Sequence, residues 1–374
     1  MRARFLNGIN GDAFWNGTLE ELSNQGVGVT HSRALFVEHY RKRKSFSEWF
    51  STTWSLYFWY SIRVLLYPGK AEFYTITTNP FFLPAFLRLR LGAQKHSIFL
   101  VYDLYPDALE LAQAVHKGSF VSKIIGGLTS YAVRNCSATV FLGESLKKHA
   151  ESRFGKSKHS VVIPVGADAR PFTNHLPRCL EPTEKILIGY CGNLGRAHDS
   201  MTLLELLSGE LLGNFDWRFH SFGYSYQSFK LQISNSQNLN SVSLEGSLSD
   251  QAWTELMRKM HIAIVTIDSG WENVVMPSKT YSAMAAGQAI IAICAEQCDL
   301  AELIRKHDCG WVVPVGDVVR LRQILTTEAS DPNILFKKRQ NAFEAGQNLY
   351  NCSAIAKQWK QLFEALDTNS IPRP

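Results

Sequence analysis

The chain has 374 residues and a formal charge of +6, with 45% hydrophobic, 19% charged and 12% aromatic residues. That profile excludes a disordered, collagen-like or disulfide-stapled chain, and the length fits two domains. Residues 1–180 hold 22 Lys and Arg against 12 Asp and Glu, leaving 17 against 21 for the remainder, so the basicity belongs to the first half and suggests an anionic partner there, nucleic acid or a membrane surface.

Seven cysteines form no Cys-x-x-Cys pair, which indicates neither a zinc ribbon nor a disulfide framework and points to a reducing cytoplasm. Residues 1–10 carry two arginines and no apolar run of signal-peptide length, so a cytoplasmic protein is expected.

Short β-branched runs alternate with helix-period segments, the pattern of βα units on parallel sheets. In chain order, strands are expected at Ala3–Leu6, Phe73–Ile76, Ser97–Val101 and Ala138–Phe141, with helices around Thr18–Asn24, Phe82–Arg90, Asp107–Val115 and Ser122–Asn135. Between the first two strands lies an aromatic segment, Phe50 to Tyr67. It is interrupted by Ser, Thr and Arg63 and falls short of the roughly 20 apolar residues that cross a bilayer. With Arg41, Lys42, Arg43 and Lys44 before it, it reads as an interfacial helix on anionic lipid, the plainer alternative being a buried helix behind a solvated loop. Prolines 164, 171, 177 and 182 then read as a linker.

A second series follows, with strands at Ile186–Tyr190, Trp217–Phe222, Val242–Leu244, Ile262–Ile267, Ala289–Ile293 and Trp311–Val313. Helices are expected near Ser200–Leu207, Gln251–Lys259, Ser278–Ala286, Leu300–Lys306 and Ser353–Leu366. Asp299 and Glu302 resemble a capping box, and Trp359, Leu362 and Phe363 share one side of the last helix. The domains expected are residues 1–168, a linker 169–184, residues 185–350, and a terminal helix in 351–374 crossing back to the first domain. Such doubly wound domains bind ligands outside the carboxyl ends of their strands.

Two strand-to-helix loops of the second domain carry candidate chemistry. Gly192-Asn193-Leu194-Gly195-Arg196-Ala197-His198-Asp199 combines glycines, which let amides approach an anion, with the Arg196 cation. It is neither a Walker A loop nor a dinucleotide fingerprint. In the second, Pro277 and Ser278 precede Lys279, with Ser278 a suitable N-cap and Gly287 a suitable stop; free amides, helix dipole and ammonium together suit a diphosphate. A structural turn and a merely capped helix are the plainer alternatives. No Asp-x-Asp and no cluster with metal-ligand spacing occurs, so a leaving diphosphate would be stabilised by protein donors.

The run Val274–Gly287, then Asp299–Ile304 and Cys309–Val313, resembles the donor-binding half of glycosyltransferase family 4, of the GT-B fold. Val101–Asp107 and Phe141–Leu146 resemble its first domain, and Pro-Ser-Lys with Gly-Asn-Leu-Gly is similar to bacterial members that build surface polysaccharides and O-antigens. The resemblance implies an α/β protein of two Rossmann-like, doubly wound domains facing each other across a cleft. It implies a retaining hexosyltransferase that needs no metal, with a nucleotide sugar, UDP-linked, as co-substrate and a polyprenyl-diphosphate-linked saccharide as acceptor. Together with the basic first half, it implies a cytoplasmic enzyme attached peripherally to the inner face of the cell membrane, not to nucleic acid.

The resemblance also distributes roles. Asp103, Arg196 and Lys279 would be catalytic, Asp103 orienting or deprotonating the acceptor hydroxyl. Gly192, Asn193, Gly195, His198, Gly223, Tyr224, Pro277, Ser278 and Ser282 would bind the donor, and Gly8, Asn10, Gly11 and Asp107 would lie on the acceptor side. A helix-capping role for Asp103 or Asp107 and a solvated His198 stay open. The family's two glutamates around the donor helix fall on Val274 and Ser282, and its arginine and lysine for the diphosphate fall near Asn193 and His198; Arg196 and Lys279 are the substitutes. A nucleotide-sugar 2-epimerase and a catalytically weakened nucleotide-sugar-binding subunit are the competing readings.

Overall fold

The computed structural model describes residues 1–6, 13–32, 55–92, 94–181, 183–210, 213–235 and 242–368. The basic run Arg41–Lys44 and the candidate acceptor residues Gly8, Asn10 and Gly11 lie outside the described residues, as does the start of the aromatic segment. The chain divides into two compact units, Met1–Pro164 with Cys352–Pro374, and Val165–Asn351.

The first unit holds β1 (Arg2–Leu6), β2 (Gly28–Ser32), β3 (Phe73–Thr77), β4 (His96–Val101), β5 (Ala138–Phe141) and β6 (Ser160–Val162), in the parallel order β2-β1-β3-β4-β5-β6. β3 and β5 are buried throughout, as expected for strands covered on both faces. The helices Ala13–Asn24 and Cys352–Thr368 pack together. Their seam is aromatic: Phe5 lies 5.3 Å from Trp15 and 5.4 Å from Trp359 between ring centroids, and Phe73 lies 4.9 Å from Phe363. The terminal helix thus completes the first unit's core with the Trp359–Phe363 side that its periodicity marks out.

The second unit holds β7 (Ile186–Asn193), β8 (Phe215–Phe222), β9 (Val242–Glu245), β10 (Ile262–Thr266), β11 (Ala289–Ile293) and β12 (Gly310–Val313), again wholly parallel, in the order β12-β11-β10-β7-β8-β9. Counted within the unit this is the 3-2-1-4-5-6 order of dinucleotide-binding folds, with its reversal between β7 and β10. Residues 165–181 of the proline-punctuated stretch read as a linker pack with this unit: Phe172 is buried, Leu180 joins the core, and the Arg258 guanidinium donates to the Pro171 carbonyl at 3.1 Å. The expected capping box also differs. Cys298, extended at φ −143°, takes the cap position and its thiol accepts from the Ala301 amide at 3.5 Å, leaving Asp299 as the first helical residue.

Helix Lys279–Ala285 is short and depends on its support. Helix Pro332–Asn348 lies against it, and at Gly346 a Cβ would fall 2.4 Å from the Ala285 amide nitrogen, so only glycine permits the approach. Gln347 donates to the Ala285 carbonyl at 3.0 Å and buried Arg339 to the Gly287 carbonyl at 3.0 Å. Gly346→Val is expected to force the two helices apart at a cost of about 2 kcal/mol. A lowered thermal midpoint checks this; an unchanged midpoint contradicts the close packing.

Candidate functional site

The strand reversal leaves a crevice outside the carboxyl ends of β7 and β10. β7 delivers Gly192 and Asn193 there, Gly192 at φ +115° with no atom within 4 Å of where a Cβ would stand. The Leu194 amide donates to the Phe222 carbonyl at 2.7 Å and the Ser221 hydroxyl to the Gly192 carbonyl at 2.7 Å, tying this loop to the one after β8. Gly223, also at φ +115°, opens helix Tyr224–Ser234; a Cβ there would lie 2.1 Å from Asn193 Oδ1. Buried Asp199 closes the first loop by accepting the Met201 amide at 2.9 Å.

Lys279 sets the electrostatics of the crevice. Its ammonium sits 3.9 Å from the centre of the Tyr190 ring, donates to the Tyr190 hydroxyl, and donates to the Asn193 carbonyl at 3.1 Å. Burial lowers its pKa to about 7, because few solvent molecules reach the charge. His198 is half-buried beside it. Its Nδ1 lies 2.9 Å from the Thr266 carbonyl, which only accepts, so Nδ1 carries the proton and Nε2 keeps its lone pair. Burial first and the Lys279 charge second lower its pKa to about 3, so the ring is neutral at working pH.

Arg196 is exposed, its guanidinium 3.8 Å above the ring centre of exposed Tyr224. Gly195 accepts the His198 amide at 3.1 Å. Pro277 is buried and Ser278 occupies the helix cap position with no side-chain capping bond, so the expected hydroxyl cap is absent. Ser282 is half-buried and, with Lys279, Cys191, Trp253, Met257 and Gln288, lines a cavity against β10; the buried Gln288 leaves Oε1 without a partner there.

Asp103 and Asp107 belong to the first unit. Asp103 lies in the loop after β4, half-buried, its amide 3.4 Å from Thr78 Oγ1, and burial raises its carboxyl pKa to about 6. Neither aspartate caps a helix: Pro106 takes the cap position and Asp107 is the first residue of Asp107–Leu111. Asp107 is buried in an ion cluster, 2.7 Å from His149 Nε2 and 2.6 Å from Arg153 Nη1. Burial opposes its charge, but the bonds from His149 and Arg153 outweigh it and hold the carboxyl below its ordinary pKa. That geometry ties helix Asp107–Leu111 to helix Glu144–Phe154 and gives Asp107 an anchoring position.

The second unit therefore gathers Gly192, Asn193, Gly195, Arg196, His198, Gly223, Tyr224 and Lys279 at one edge. Tyr190 and the Thr266 carbonyl, which orient Lys279 and His198, are the residues sequence reasoning passed over; a tyrosine ending an otherwise aliphatic strand is the signal for the first. Among the described residues no group of three or more His, Cys, Asp or Glu side chains is placed to hold a metal ion.

Residues 185–328 match the family model described as Glycosyl transferases group 1. The sucrose-phosphate synthase of Thermosynechococcus elongatus superposes with a TM-score of 0.71 at 14% identity, covering 99% of each chain. HepE of Anabaena, solved with UDP and glucose, gives 0.71 at 12% identity over 98% of this chain and 100% of that one. The fold is GT-B. A curated relative, the probable glycosyltransferase WbjE of Pseudomonas aeruginosa, is 23% identical over 279 residues, 72% of this chain and 68% of that protein. These matches support a glycosyltransferase.

Heteronuclear NMR of the lysine Hε–Cε signals is expected to show one resonance titrating near pH 7, absent in Lys279→Met. If every lysine titrates near its ordinary value, the desolvated ammonium is refuted.

Proposed function

We propose that the chain is a retaining, metal-independent hexosyltransferase that moves a sugar from a UDP-linked donor to a polyprenyl-diphosphate-linked saccharide in surface-polysaccharide synthesis, while attached to the inner face of the cell membrane. The observation that carries the reading is the Lys279 ammonium at the β7/β10 reversal, beside a loop whose glycine leaves room for an anion. The group 1 match over this unit, the UDP complexes of HepE and the WbjE relative support it.

In this reading Lys279 and Arg196, with the amides at Ser278, stabilise the departing diphosphate. Gly192, Asn193, Gly195 and Pro277 shape the phosphate loop, Gly223 and Tyr224 face the base, and Ser282 takes a ribose hydroxyl in place of the family's glutamate. His198, neutral and accepting at Nε2, takes a sugar hydroxyl; it has no positive charge to give the diphosphate. The anomeric bond to the diphosphate oxygen breaks as the bond to the acceptor oxygen forms on the same face, and the hydroxyl proton goes to Asp103. A carboxyl raised to about 6 suits a base at neutral pH.

Three experiments test this. Lys279→Ala is expected to lower transfer about a hundredfold or more while the thermal midpoint stays unchanged; unaltered turnover would sink the assignment. Stabilisation by a nucleotide sugar with no transfer to any saccharide acceptor would make the chain a binding subunit instead. The pH profile follows from the two shifted groups. Asp103 must be ionised, so kcat/KM rises with pH through about 6, and Lys279 must be charged, so it falls above about 7. Asp103→Asn should remove the acid limb, and Lys279→Arg, charged throughout, the alkaline limb; profiles that keep both limbs contradict the two roles.

A further inference from the structure

We propose that the outer face of three neighbouring helices in the first unit is the surface that docks on anionic lipid. It deepens, and in that respect rests on, the membrane attachment proposed above; it is independent of the donor chemistry. The helices are Ser61–Leu66 with the wide turn Ser55–Tyr60 before it, Leu83–Leu91, and Phe120–Asn135. The first packs beside the second, and the second beside the third, forming one layer. Each buries one side: Tyr60 and Val64, then Leu83 and Leu87, then Ile125 and Val133.

The opposite sides are not the charged surface that amphipathic helices ordinarily present to water. Trp59, Leu66, Phe86, Leu89, Phe120 and Ile124 are exposed, Trp59 by 58% and Phe120 by 78%. Their spacing keeps them on one side: Phe86 and Leu89 are three residues apart, and Arg63 stands four after Trp59 and three before Leu66. Rings bridge the first two helices, with Tyr57 and Phe86 each 6.0 Å from Phe82 between centroids. Exposed apolar groups spread over three adjacent helices mark a binding surface and not scattered surface residues.

Charge identifies the partner. Residues 55–67, 83–91 and 120–135 contain Arg63, Arg88, Arg90, Lys123 and Arg134 and no Asp or Glu. Arg88 and Arg134 donate to the Gly92 and Phe154 carbonyls, while Arg63, Arg90 and Lys123 are exposed among the apolar side chains. A protein partner would have to answer these cations with carboxylates placed opposite each of them. A lipid headgroup layer instead accepts cations of one sign beside aromatic rings at the boundary of its hydrocarbon. No described helix is long and apolar enough to cross a membrane, so contact by this face is lateral.

Co-sedimentation of the full chain with vesicles tests the surface. The protein is expected to pellet with phosphatidylcholine vesicles containing 30% phosphatidylglycerol, about tenfold more than with phosphatidylcholine alone, and to be released by salt. Trp59→Ser with Leu89→Ser and Phe120→Ser should lower binding about tenfold or more. Arg63→Glu with Arg90→Glu and Lys123→Glu should abolish the preference for phosphatidylglycerol. All six positions are exposed, and an unchanged thermal midpoint confirms that both variants fold. Wild type that stays in the supernatant with both vesicles, or variants that bind like wild type, overturn the proposal, as does equal binding to the two lipids. Stabilisation by UDP reads the donor site separately, so failure of either reading leaves the other measurable.

Discussion

Both sheets are parallel at every strand pair, and that constraint arranges everything else. A parallel neighbour can be reached only by a crossover, so helices must cover both faces and every strand-to-helix loop emerges at one edge. Where the order reverses between β7 and β10, the crossovers depart in opposite directions and leave that edge uncovered. Lys279 and His198 reach across this gap, one to the Asn193 carbonyl ending β7 and the other to the Thr266 carbonyl ending β10. Topology opens the crevice; the side chains then give it a charge pattern.

That pattern separates two roles. An ammonium at a desolvated position is an unstable charge, which the Tyr190 ring and two oxygens only partly offset, as its pKa of about 7 shows. A dianionic ligand would restore the full charge, so binding and proton uptake are linked at alkaline pH. His198 makes the complementary adjustment. Fixed neutral by the same burial and by the Lys279 charge, it offers a lone pair instead of competing for the anion. Two adjacent basic residues thus supply one cation and one acceptor.

Much of this fold could be read from the sequence because parallel strands buried on both faces are continuous apolar runs, as Ala138–Phe141 and Ala289–Ile293 are. The first unit's edge strands were missed for the converse reason: β2 and β6 alternate or are only partly buried, and their residues resemble loops. Helix Pro332–Asn348 escaped because its small and polar side chains, Gly346 among them, serve close approach and not an apolar stripe. At the site, glycines and Lys279 could be read locally. The partners that tune Lys279 could not, since Tyr190 lies 89 residues away and its role depends on strand pairing. The cap at Ser278 and the box at Asp299 failed for one reason: both motifs describe local preference, and the preceding loop fixes the backbone that decides it.

The uneven charge of the chain acquires a physical meaning from these environments. On the three outer helices, cations stand in water, where each would contribute on the order of 1 kcal/mol toward the proposed anionic surface, so several would be needed. In the second unit the surroundings are on balance acidic, yet the desolvated Lys279 ammonium at the β7/β10 edge would act strongly on an anion there, because Coulomb attraction grows as the local dielectric falls. A desolvated lysine in mildly acidic surroundings also attracts only an anion that enters the crevice, whereas a basic surface would hold polyanions anywhere along it. On the proposed reading the first unit would use charge by number and the second by burial, so that basic side chains would serve a broad, salt-sensitive attachment in one and a localised, pH-sensitive contact in the other.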